Sequence, residues 1–563
     1  MRLLKYNLLV IAFSAAIFFN PSNATGQNLP PADSHEYYYR ILQVSDRTDD
    51  SRSFLLNPVV PVATIRGSHP WQDIFNTTNK PVIKLPYQSG ISIYEPVLFN
   101  SYNTSLPRGS NDGAAWQGKG ANFTFSAGFR AEAGPLMISF RPQAGIAQNL
   151  GFDLGPHPVP RTEASEYAYR HPRFDIDYVQ RFGADRYSWT DLGDSYIELR
   201  TAGFAAGVSN SRIRTGAGQF SSLQFGYHAP GFLHAHFSTY RPVMTPVGGF
   251  EFKLLFGGIR KSDYFAESEN LPQYRMRMRS IHSLSLVYSP HFVKGLSVGA
   301  IRTFIGPYPE SFSDYRSQSA NLFEALTKNA IAPDPSDSFL NTNQIISVFA
   351  RWVIPEAGFE IYGEYGRADH NIDLRDFRAQ PNHMRAYIAG FMKTFQIPSN
   401  RILSTGIEIM QGETPRSGLT RGGGVLQGWY SHAGQPVGFT NRGQIIGSGF
   451  SPGSNYQMVW ADLFDKRGKL GFKAGRIVHH NGWVDRYFGQ IRERNSKNVE
   501  RWEIRNTELL LGINVTAFLK YGIEVSAEID QSFIFNHHYI LDNDIRNTRF
   551  ELVFRKQIDG WLR

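Results

Sequence analysis

The feature of this 563-residue chain that most constrains its fold is the alternation of apolar and polar side chains in one short segment after another. In FEFKLLF at 250–256, Glu251 and Lys253 share one face of an extended chain. The apolar side chains of Phe250, Phe252, Leu254 and Phe256 share the other face. The segments FEIYGEY at 359–365 and IEVSAEIDQSFIF at 523–535 repeat the pattern. Because successive side chains of a β-strand point to opposite faces, this period of two predicts strands that separate two different environments.

The polar face of these segments distinguishes two all-β folds. A soluble sandwich also alternates, but its polar face meets bulk water. Here that face carries both signs of charge in many segments, as expected for a barrel lumen in which carboxylates pair with guanidinium groups. We count roughly eighteen to twenty segments after Ser92, and a transmembrane strand needs about 9–11 residues. We therefore predict an all-β fold, a transmembrane antiparallel up-and-down β-barrel of about 18 strands.

Residues 1–26 have the layout of a secretory signal peptide. Arg2 and Lys5 precede an apolar run at 8–19, and small residues follow at 22–26. As a helix that run would rise only about 18 Å, short of the roughly 30 Å hydrocarbon core, which argues against a membrane anchor. The chain has no Cys, which excludes a lipoprotein anchor and disulfides. We predict that the signal peptide is cleaved and that the mature protein is located in the outer membrane of a Gram-negative bacterium.

The mature chain divides into two predicted parts. Residues 27–90 contain DSHEYYYRILQVSDR at 33–47, with apolar residues at helical spacing, and HPWQDIF at 69–75. We predict a small, partly helical periplasmic element there and the barrel over residues 91–563. Segments rich in Gly and Pro, or polar like SFSDYRSQSA at 311–320, have the composition of exposed loops. The predicted long external loops lie at 142–160, 305–340 and 411–455.

The charge of the chain is mildly basic. The formal charge is +9, and removing Arg2 and Lys5 leaves 56 basic against 49 acidic residues, or +7 for the mature chain. Such a surface suits acidic polysaccharide, lipopolysaccharide phosphate or anionic solutes, and an ordinary solvated surface explains it equally well. We predict no nucleic-acid partner, because the chain has the signal of an exported protein and no visible recognition motif.

Three arginines in YRMRMRSIHSLSLVY, at 274–288, share one face of a predicted strand. Side by side they repel one another unless carboxylates or an anionic ligand lie opposite. One interpretation pairs them with lumenal carboxylates such as Glu251 or Glu360. The other is a basic stripe that contacts an acidic polymer or solute. The candidate residues are Arg275, Arg277 and Arg279.

A second set of candidates has the residue types of polysaccharide sites, which combine aromatic faces with charged and amide hydrogen-bonding groups. These residues lie in one Gly-rich predicted loop. An alternative is that the aromatic residues belong to the interfacial girdles of the barrel. The candidates are Trp429, Tyr430, His432, Asn441 and Arg442.

No catalytic site, metal site or cofactor is predicted, and we expect no enzyme. The pairs His479–His480 and His537–His538 are adjacent on predicted strands, where neighbouring side chains point to opposite faces and do not chelate one ion. The polar group at 369–383 lies in a predicted loop, where such residues usually hydrogen-bond the turn.

Five stretches of the chain carry a family resemblance. They are SYNTSLPRGSNDGAAWQGKG at 101–120, FRPQ at 140–143, GAGQFSSLQFGYHAPGF at 216–232, RWVIPEAGFEIYGEYGRADHNIDLRDFRAQPNHMRAYIAGFMK at 351–393 and WYSHAGQPVGFTNRGQIIGSGFSPGSN at 429–455. These stretches resemble the Wzi family of outer-membrane capsule assembly proteins, in the branch found in Bacteroidetes. The resemblance implies a barrel of about eighteen strands with a periplasmic helical element, acting as a lectin-like surface anchor for capsular polysaccharide. The chain departs from the family at 215–218, TGAG, where members often carry Trp-Gly-Pro-Gly.

Two functions are predicted. The first is a non-enzymatic, monomeric barrel with a closed or plugged lumen that attaches capsular polysaccharide or exopolysaccharide at the cell surface, surrounded by outer-membrane lipid and lipopolysaccharide. The alternative is an outer-membrane porin or polysaccharide exporter channel that uses the three arginines as its conducting stripe.

Overall fold

The computed structural model describes most of the chain that follows the predicted signal peptide. All of that peptide except its last residue lies outside the described residues. The described residues are 26–28, 34–48, 53–56, 59–61, 66–77, 83–85, 89–109, 111–154, 166–167, 176–265, 277–324, 342–368, 378, 381–382, 384–413, 429–431, 437–450, 452–480, 484, 488–489, 491–493, 495 and 498–556.

Eighteen antiparallel strands form one closed barrel in the described part of the chain, which confirms the predicted fold class. Short pieces that pair along the same neighbour are counted as one strand. The strands are β1 (Ser89–Asn103), β2 (Gly120–Ala133), β3 (Leu136–Phe140 and Gln143–Ala147), β4 (Tyr187–Asp191 and Tyr196–Thr201), β5 (Phe204–Ser209), β6 (His234–Thr239 and Val243–Thr245), β7 (Gly248–Arg260), β8 (Met278–Pro290), β9 (Leu296–Pro307), β10 (Asn343–Ile354), β11 (Phe359–Ala368), β12 (Arg385–Ile397), β13 (Arg401–Gln411), β14 (Asn455–Asp465), β15 (Gly468–Val478), β16 (Thr507–Leu519), β17 (Ile523–Phe535) and β18 (Ile545–Lys556).

The barrel closes by pairing its last strand with its first. β18 pairs with β1 from Arg549↔Asn103 to Arg555↔Val97. Closure matters because hydrocarbon offers no hydrogen-bond partner to the backbone groups of an open sheet edge. Outside the eighteen strands, Ile83–Leu85 pairs with the start of β1. Two further short pairings are Gly26–Asn28 with Val59–Pro61 and Thr440–Asn441 with Gln444–Ile445.

The connections between strands differ in length at the two ends of the barrel. At one end, here the turn end, each connection has two to five residues, as at 134–135 and 291–295. At the other, the loop end, each has nine residues or more. Short periplasmic turns and long external loops are typical of outer-membrane barrels. The loops predicted at 142–160, 305–340 and 411–455 belong mainly to the loop end, although 143–147 is part of β3.

The predicted alternation is confirmed by the side chains on the two faces of the wall. In β11, Glu360, Tyr362 and Glu364 are buried on the inner face, whereas Ile361 faces outward and is exposed. An apolar outer face and a polar lumen are what a bilayer requires of a barrel. Exposed apolar residues of other strands include Phe123, Phe237, Leu286, Val348 and Leu511.

Charged side chains on the inner face pair across strands. Lys473 of β15 contacts Glu528 at 2.8 Å and Asp530 at 3.0 Å, both on β17. Arg549 of β18 contacts the same two carboxylates at 2.7 and 2.8 Å. Lys473 reaches across β16 because Gly512 lies between the partners, where a Cβ would collide with both side chains. The inner face of β15 to β18 therefore carries paired charges, as the polar faces of the segments predicted.

Helix α1 (Ser34–Val44) lies inside the barrel at the turn end, where its polar side chains bond to the wall. Arg40 Nε donates to Glu360 Oε1 at 3.1 Å. Tyr37 Oη donates to Asp462 Oδ2 at 3.0 Å. These charge-assisted bonds hold the helix in the opening of the barrel.

Helix α2 (Gln72–Thr77) follows the fully buried Trp71. The Trp71 ring stacks on Tyr38 of α1 at 4.2 Å between centroids, and its Nε1 donates to the carbonyl of Asp465 at 3.2 Å. Both helices predicted within residues 27–90 are present, but α1 lies within the barrel and not beside it as an appendage. None of the helices in the described part of the chain is long and apolar enough to cross a membrane.

Helix α3 (Phe312–Glu324) lies in the long connection between β9 and β10. Its start is a capping box, in which Asp314 N–H donates to Ser311 Oγ at 3.1 Å and Ser311 N–H donates to Asp314 Oδ2 at 3.0 Å. The sequence predicted an exposed loop at 311–320. The segment does lie in a loop-end connection and is mostly exposed, but it folds as a helix. Ser and Asp are common in loops, but here they satisfy the free N–H groups of a helix start.

Several described segments fold back into the barrel and fill its centre, and two connections supply many of the core residues. The first, at 210–233 between β5 and β6, is called the plug loop here. Its Gln224 is fully buried and donates to the Ile301 carbonyl at 3.1 Å and to Ser347 Oγ at 3.0 Å. The second is 437–450, between β13 and β14, and its apolar side chains join the same core. The described chain therefore plugs its own lumen.

Candidate functional site

Among the described residues, two cavities between the plug and the wall are prominent. The inner cavity, of about 470 Å³, is lined partly by α1. The loop-end cavity, of about 290 Å³, lies among the long connections. The cavities adjoin, because several residues line both. These shared residues are Asp112, Ala115, Phe220, Lys473 and Arg549.

Long connections bring aromatic rings and neutral polar side chains together in the loop-end cavity. The β1–β2 connection supplies Trp116 and Gln117. The β13–β14 connection supplies Gln444 and Phe450, and the β17–β18 connection supplies His537. The paired charges of β15 to β18 form the floor of the cavity.

Neighbouring side chains hold two of these residues in place. Trp116 Nε1 donates to Asn149 Oδ1 at 3.3 Å, and its ring packs edge-on against Phe182 at 4.8 Å. Gln117 Oε1 accepts from Arg549 Nε at 3.1 Å. This part of the cavity wall is therefore preformed, so that ligand binding orders fewer side chains and loses less conformational entropy.

Several side chains that line this cavity keep polar atoms without a hydrogen-bond partner among the described residues, and three of these side chains are both buried and uncharged. They are Gln117 Nε2, Gln444 Oε1 and both ring nitrogens of His537. Each residue is at most 9% exposed. An unpaired buried polar group costs on the order of 1–3 kcal/mol, so a ligand with its own donors and acceptors gains by pairing with these atoms. The amide nitrogen donates, the amide oxygen accepts, and a neutral imidazole does one of each.

Burial lowers the pKa of two histidines of the cavity and keeps both neutral at pH 7. Desolvation, with help from His538 and His479, lowers the pKa of His537 to about 3. Desolvation also lowers the pKa of His228, in the plug loop, to about 4. The cavity therefore offers neutral donors and acceptors above a floor of mutually compensated charges.

The arginines predicted as a basic stripe are separated in the structure. Arg275 lies outside the described residues. Arg277 precedes β8, is exposed and pairs with Asp263 at 2.9 Å. Arg279 is fully buried and donates from Nη2 to the carbonyl of Thr440, 2.7 Å away, in the second connection that fills the lumen.

Neither of the two described arginines pairs with Glu251 or Glu360, the carboxylates named as their lumenal partners. Glu360 instead holds Arg40 and also Arg351, whose Nη2 lies 2.8 Å from Glu360 Oε2. Glu251 accepts from the backbone N–H of Ser53 at 2.9 Å. Both carboxylates therefore bond to N-terminal segments that fold into the lumen. Strand alternation alone does not predict such bonds.

Three of the predicted sugar-contacting residues hold the plug together. Trp429 and Tyr430 are buried inside the barrel, so the girdle interpretation is wrong for them. Tyr430 Oη donates to the Leu223 carbonyl at 2.7 Å. Asn441 is buried and donates to the Pro230 carbonyl at 3.1 Å.

The remaining two predicted residues differ in position. His432 lies outside the described residues. Arg442 is partly exposed and pairs with Asp191 of β4 at 2.8 Å. None of the six described residues among the eight candidates lines either cavity, and their contact with a polysaccharide stays a prediction.

Sequence reasoning missed the residues that do line the loop-end cavity. Trp116 and Gln117 lie within the family-like stretch 101–120, which was the available signal. His537 and His538 were assigned to a strand, but they lie in the β17–β18 connection, with ring centroids 3.7 Å apart. Among the described residues there is no group of three or more His, Asp or Glu suited to a metal ion.

Fold and site together define a class of protein: a closed β-barrel of the outer-membrane type whose lumen is plugged by its own chain. No protein-family model matches the sequence, and neither does any curated protein. The fold is similar to that of Wzi from Escherichia coli, described as an outer membrane protein involved in group 1 capsule assembly and a carbohydrate-binding β-barrel. The TM-score is 0.59 at 10% identity, covering 94% of this chain and 100% of that chain.

Two porins from other bacteria show a more distant similarity. OprD from Pseudomonas aeruginosa has a TM-score of 0.36 at 8% identity, covering 82% of this chain and 92% of its own. OccAB2 from Acinetobacter baumannii has a TM-score of 0.39 at 10% identity, covering 83% of this chain and 97% of its own.

Proposed function

We propose that this protein binds a capsular polysaccharide or exopolysaccharide in the loop-end cavity and so attaches it to the outer membrane. The observation that carries the proposal is the cavity itself, which combines the aromatic Trp116 and Phe450 with the unpaired polar atoms of Gln117, Gln444 and His537. A sugar presents apolar ring faces to aromatic side chains and hydroxyl groups that both donate and accept.

Two further observations support this proposal. The plugged lumen suits a surface anchor better than a pore. The fold similarity to Wzi also agrees with the family resemblance of the sequence. The proposal includes membership of the Wzi family in its Bacteroidetes branch, a cleaved signal peptide, an outer-membrane location, a monomeric state and the absence of enzymatic activity.

Calorimetry of the purified protein in detergent tests the proposal, with surface polysaccharide from the bacterium that carries this chain as the titrant. We expect the wild type to bind. The variants His537→Phe and Gln444→Leu remove polar atoms that have no partner among the described residues, so they test ligand contacts with little effect on the fold. Each variant is expected to raise Kd about tenfold, because a tenfold change corresponds to the loss of about 1.4 kcal/mol, the free energy of one buried hydrogen bond.

The variant Arg277→Gln serves as the control. Arg277 is exposed, lies outside both cavities and is expected to leave Kd unchanged. Absence of binding by the wild type would reject polysaccharide attachment. Equal affinities for the wild type and the two cavity variants would place the polysaccharide elsewhere on the barrel.

One observation favours the second candidate, a porin or exporter channel. The inner and loop-end cavities share five lining residues, so they adjoin along β15 to β18 and offer a path to small solutes. Planar bilayer recording separates the two functions. A surface anchor gives no steady open-state conductance. A channel gives a steady conductance, and this conductance decreases in the variant Lys473→Met, because Lys473 lines both cavities.

A further inference from the structure

Helix α3 lies on the outer wall of the barrel. Its Tyr315 packs against Phe256 of β7 at 5.6 Å and against His282 of β8 at 5.8 Å between ring centroids. On β8 the inner positions are odd-numbered, as the buried Arg279 in the lumen shows, so His282 faces outward. The outer position of His282 is nonetheless 2% exposed, because α3 covers it.

The helix crosses the strands along one row of paired outward residues. Phe256 pairs with His282, His282 with Phe304 of β9, and Phe304 with Gln344 of β10. Towards its C-terminal end, the Leu322 carbonyl accepts from Arg302 of β9 at 3.3 Å. The helix therefore runs around the barrel, across the strand direction.

The hydrogen bonds of α3 define which of its sides faces the loop end. Gln318 Nε2 donates to the carbonyl of Pro307, the last residue of β9 at the loop end, at 3.0 Å. The next residue, Ser319, lies 3.4 Å from His282 Nδ1, four residues inside β8. Gln318 therefore marks the loop-end side of the helix, and Ser319 marks the side nearer the middle of the strands.

Two exposed phenylalanines lie on the Ser319 side. At about 100° per residue, Phe312 and Phe323 are only about 20° apart around the helix axis, and both lie within about 40° of Ser319 and about 120–140° from Gln318. Phe312 is 80% exposed and Phe323 is 54% exposed. They therefore point along the wall towards the middle of the strands.

The wall next to these rings is apolar. Continuing from α3 along the strands, the outward side chains Leu286 and Val348 are each more than half exposed, as expected of a surface in contact with hydrocarbon. The exposed flank of α3 is continuous with this surface. Arg316 lies on the same flank, and its long side chain is able to extend to the headgroup layer while its stem covers apolar surface.

We propose that α3 is an interfacial helix of the outer leaflet, which inserts Phe312 and Phe323 into lipid at the edge of the apolar band. The partner is outer-leaflet lipid, and the chemistry is that of an amphipathic helix lying at the boundary of acyl chains and headgroups. The helix thereby shields the polar outward side chains of Ser280, His282 and Arg302 from hydrocarbon, where unpaired polar groups are costly.

The absence of Cys from the chain makes the test direct. The single-cysteine variants Phe312→Cys and Phe323→Cys are spin-labelled in vesicles of phosphatidylethanolamine and phosphatidylglycerol, and the accessibility of each label to oxygen and to a nickel chelate is measured. Leu286→Cys is the lipid-facing control. Tyr521→Cys, in a turn and 85% exposed, is the water-facing control.

We expect both α3 labels to show oxygen accessibility above nickel accessibility, as at Leu286, with smaller depth values because α3 is nearer the loop end. Labels as accessible to nickel as at Tyr521 would place the rings in water and overturn the proposal. Labels shielded from both reagents would place them in a protein contact and would overturn it as well. Both rings are exposed, so their replacement leaves the core of the barrel intact.

Discussion

At the scale of single residues, Glu360 is central to the packing of α1 inside the barrel, because its carboxylate neutralises two buried arginines. Arg40 of α1 and Arg351 of β10 both bond to its carboxylate, which is fully buried. We expect Glu360→Gln to lower the free energy of unfolding by about 3–5 kcal/mol, since breaking a buried pair leaves uncompensated charge. Loss of β-sheet circular dichroism on heating in detergent measures the change.

The matched control is Glu356→Gln, which lies three residues before the start of β11 and four residues before Glu360. Glu356 pairs with Lys294, but both side chains are mostly exposed, so water and salt screen the interaction. We expect no measurable loss of stability. Equal effects of the two variants would mean that Glu360 does not hold the helix in the barrel.

A second residue-scale prediction concerns acid. The pKa of His537 is about 3 in the folded protein and near 6.5 in an unfolded chain, so between these values the unfolded state binds more protons. The stability due to neutral His537 is therefore complete above pH 6.5 and is lost as the pH falls, by about 1.4 kcal/mol per pH unit. Free energies of unfolding at pH 7, 6, 5 and 4 measure it, with His537→Phe as reference. Parallel pH profiles for the two proteins would contradict the lowered pKa.

At the scale of elements, the plug loop keeps the lumen closed. Replacing residues 214–229 with a flexible Gly-Ser linker removes its buried core residues while retaining both strand connections. We expect the variant to show a steady conductance in planar bilayers, which the wild type lacks. The reason is that a barrel of this strand number with an empty lumen leaves an aqueous channel. A variant that folds and still shows no steady conductance would show that α1 and the β13–β14 connection are sufficient to close the barrel.

Apart from helix α3, the sequence predicted those elements that depend on neighbouring residues and missed those that depend on distant contacts. Strand alternation and the helical spacing of α1 are local patterns, and both were predicted correctly. Helix α3 was missed because its Ser- and Asp-rich start resembles a loop, although Ser311 and Asp314 at capping-box spacing were the signal. The inward folding of the plug loop had no local signal, since it depends on contacts with strands more than a hundred residues away.

At the scale of the whole molecule, a closed barrel predicts heat-modifiable mobility. The unboiled protein is expected to migrate on a detergent gel differently from the boiled one, because every strand of the closed sheet is hydrogen-bonded on both sides and the sheet resists detergent. Extraction should also require detergent. A freely soluble protein without a mobility shift would contradict the barrel.

The sequence by itself determined the class of fold, because a lipid-facing wall and a polar lumen impose a period of two that is written in consecutive residues. The tertiary structure alone decided the site. Arg279, Tyr430 and Asn441 have the residue types of a binding site, yet long-range packing buries Tyr430 and Asn441 within the plug and Arg279 of β8 against it. Gln117 and His537 were not predicted as binding residues, and they line one cavity because closure of β18 on β1 brings their connections together.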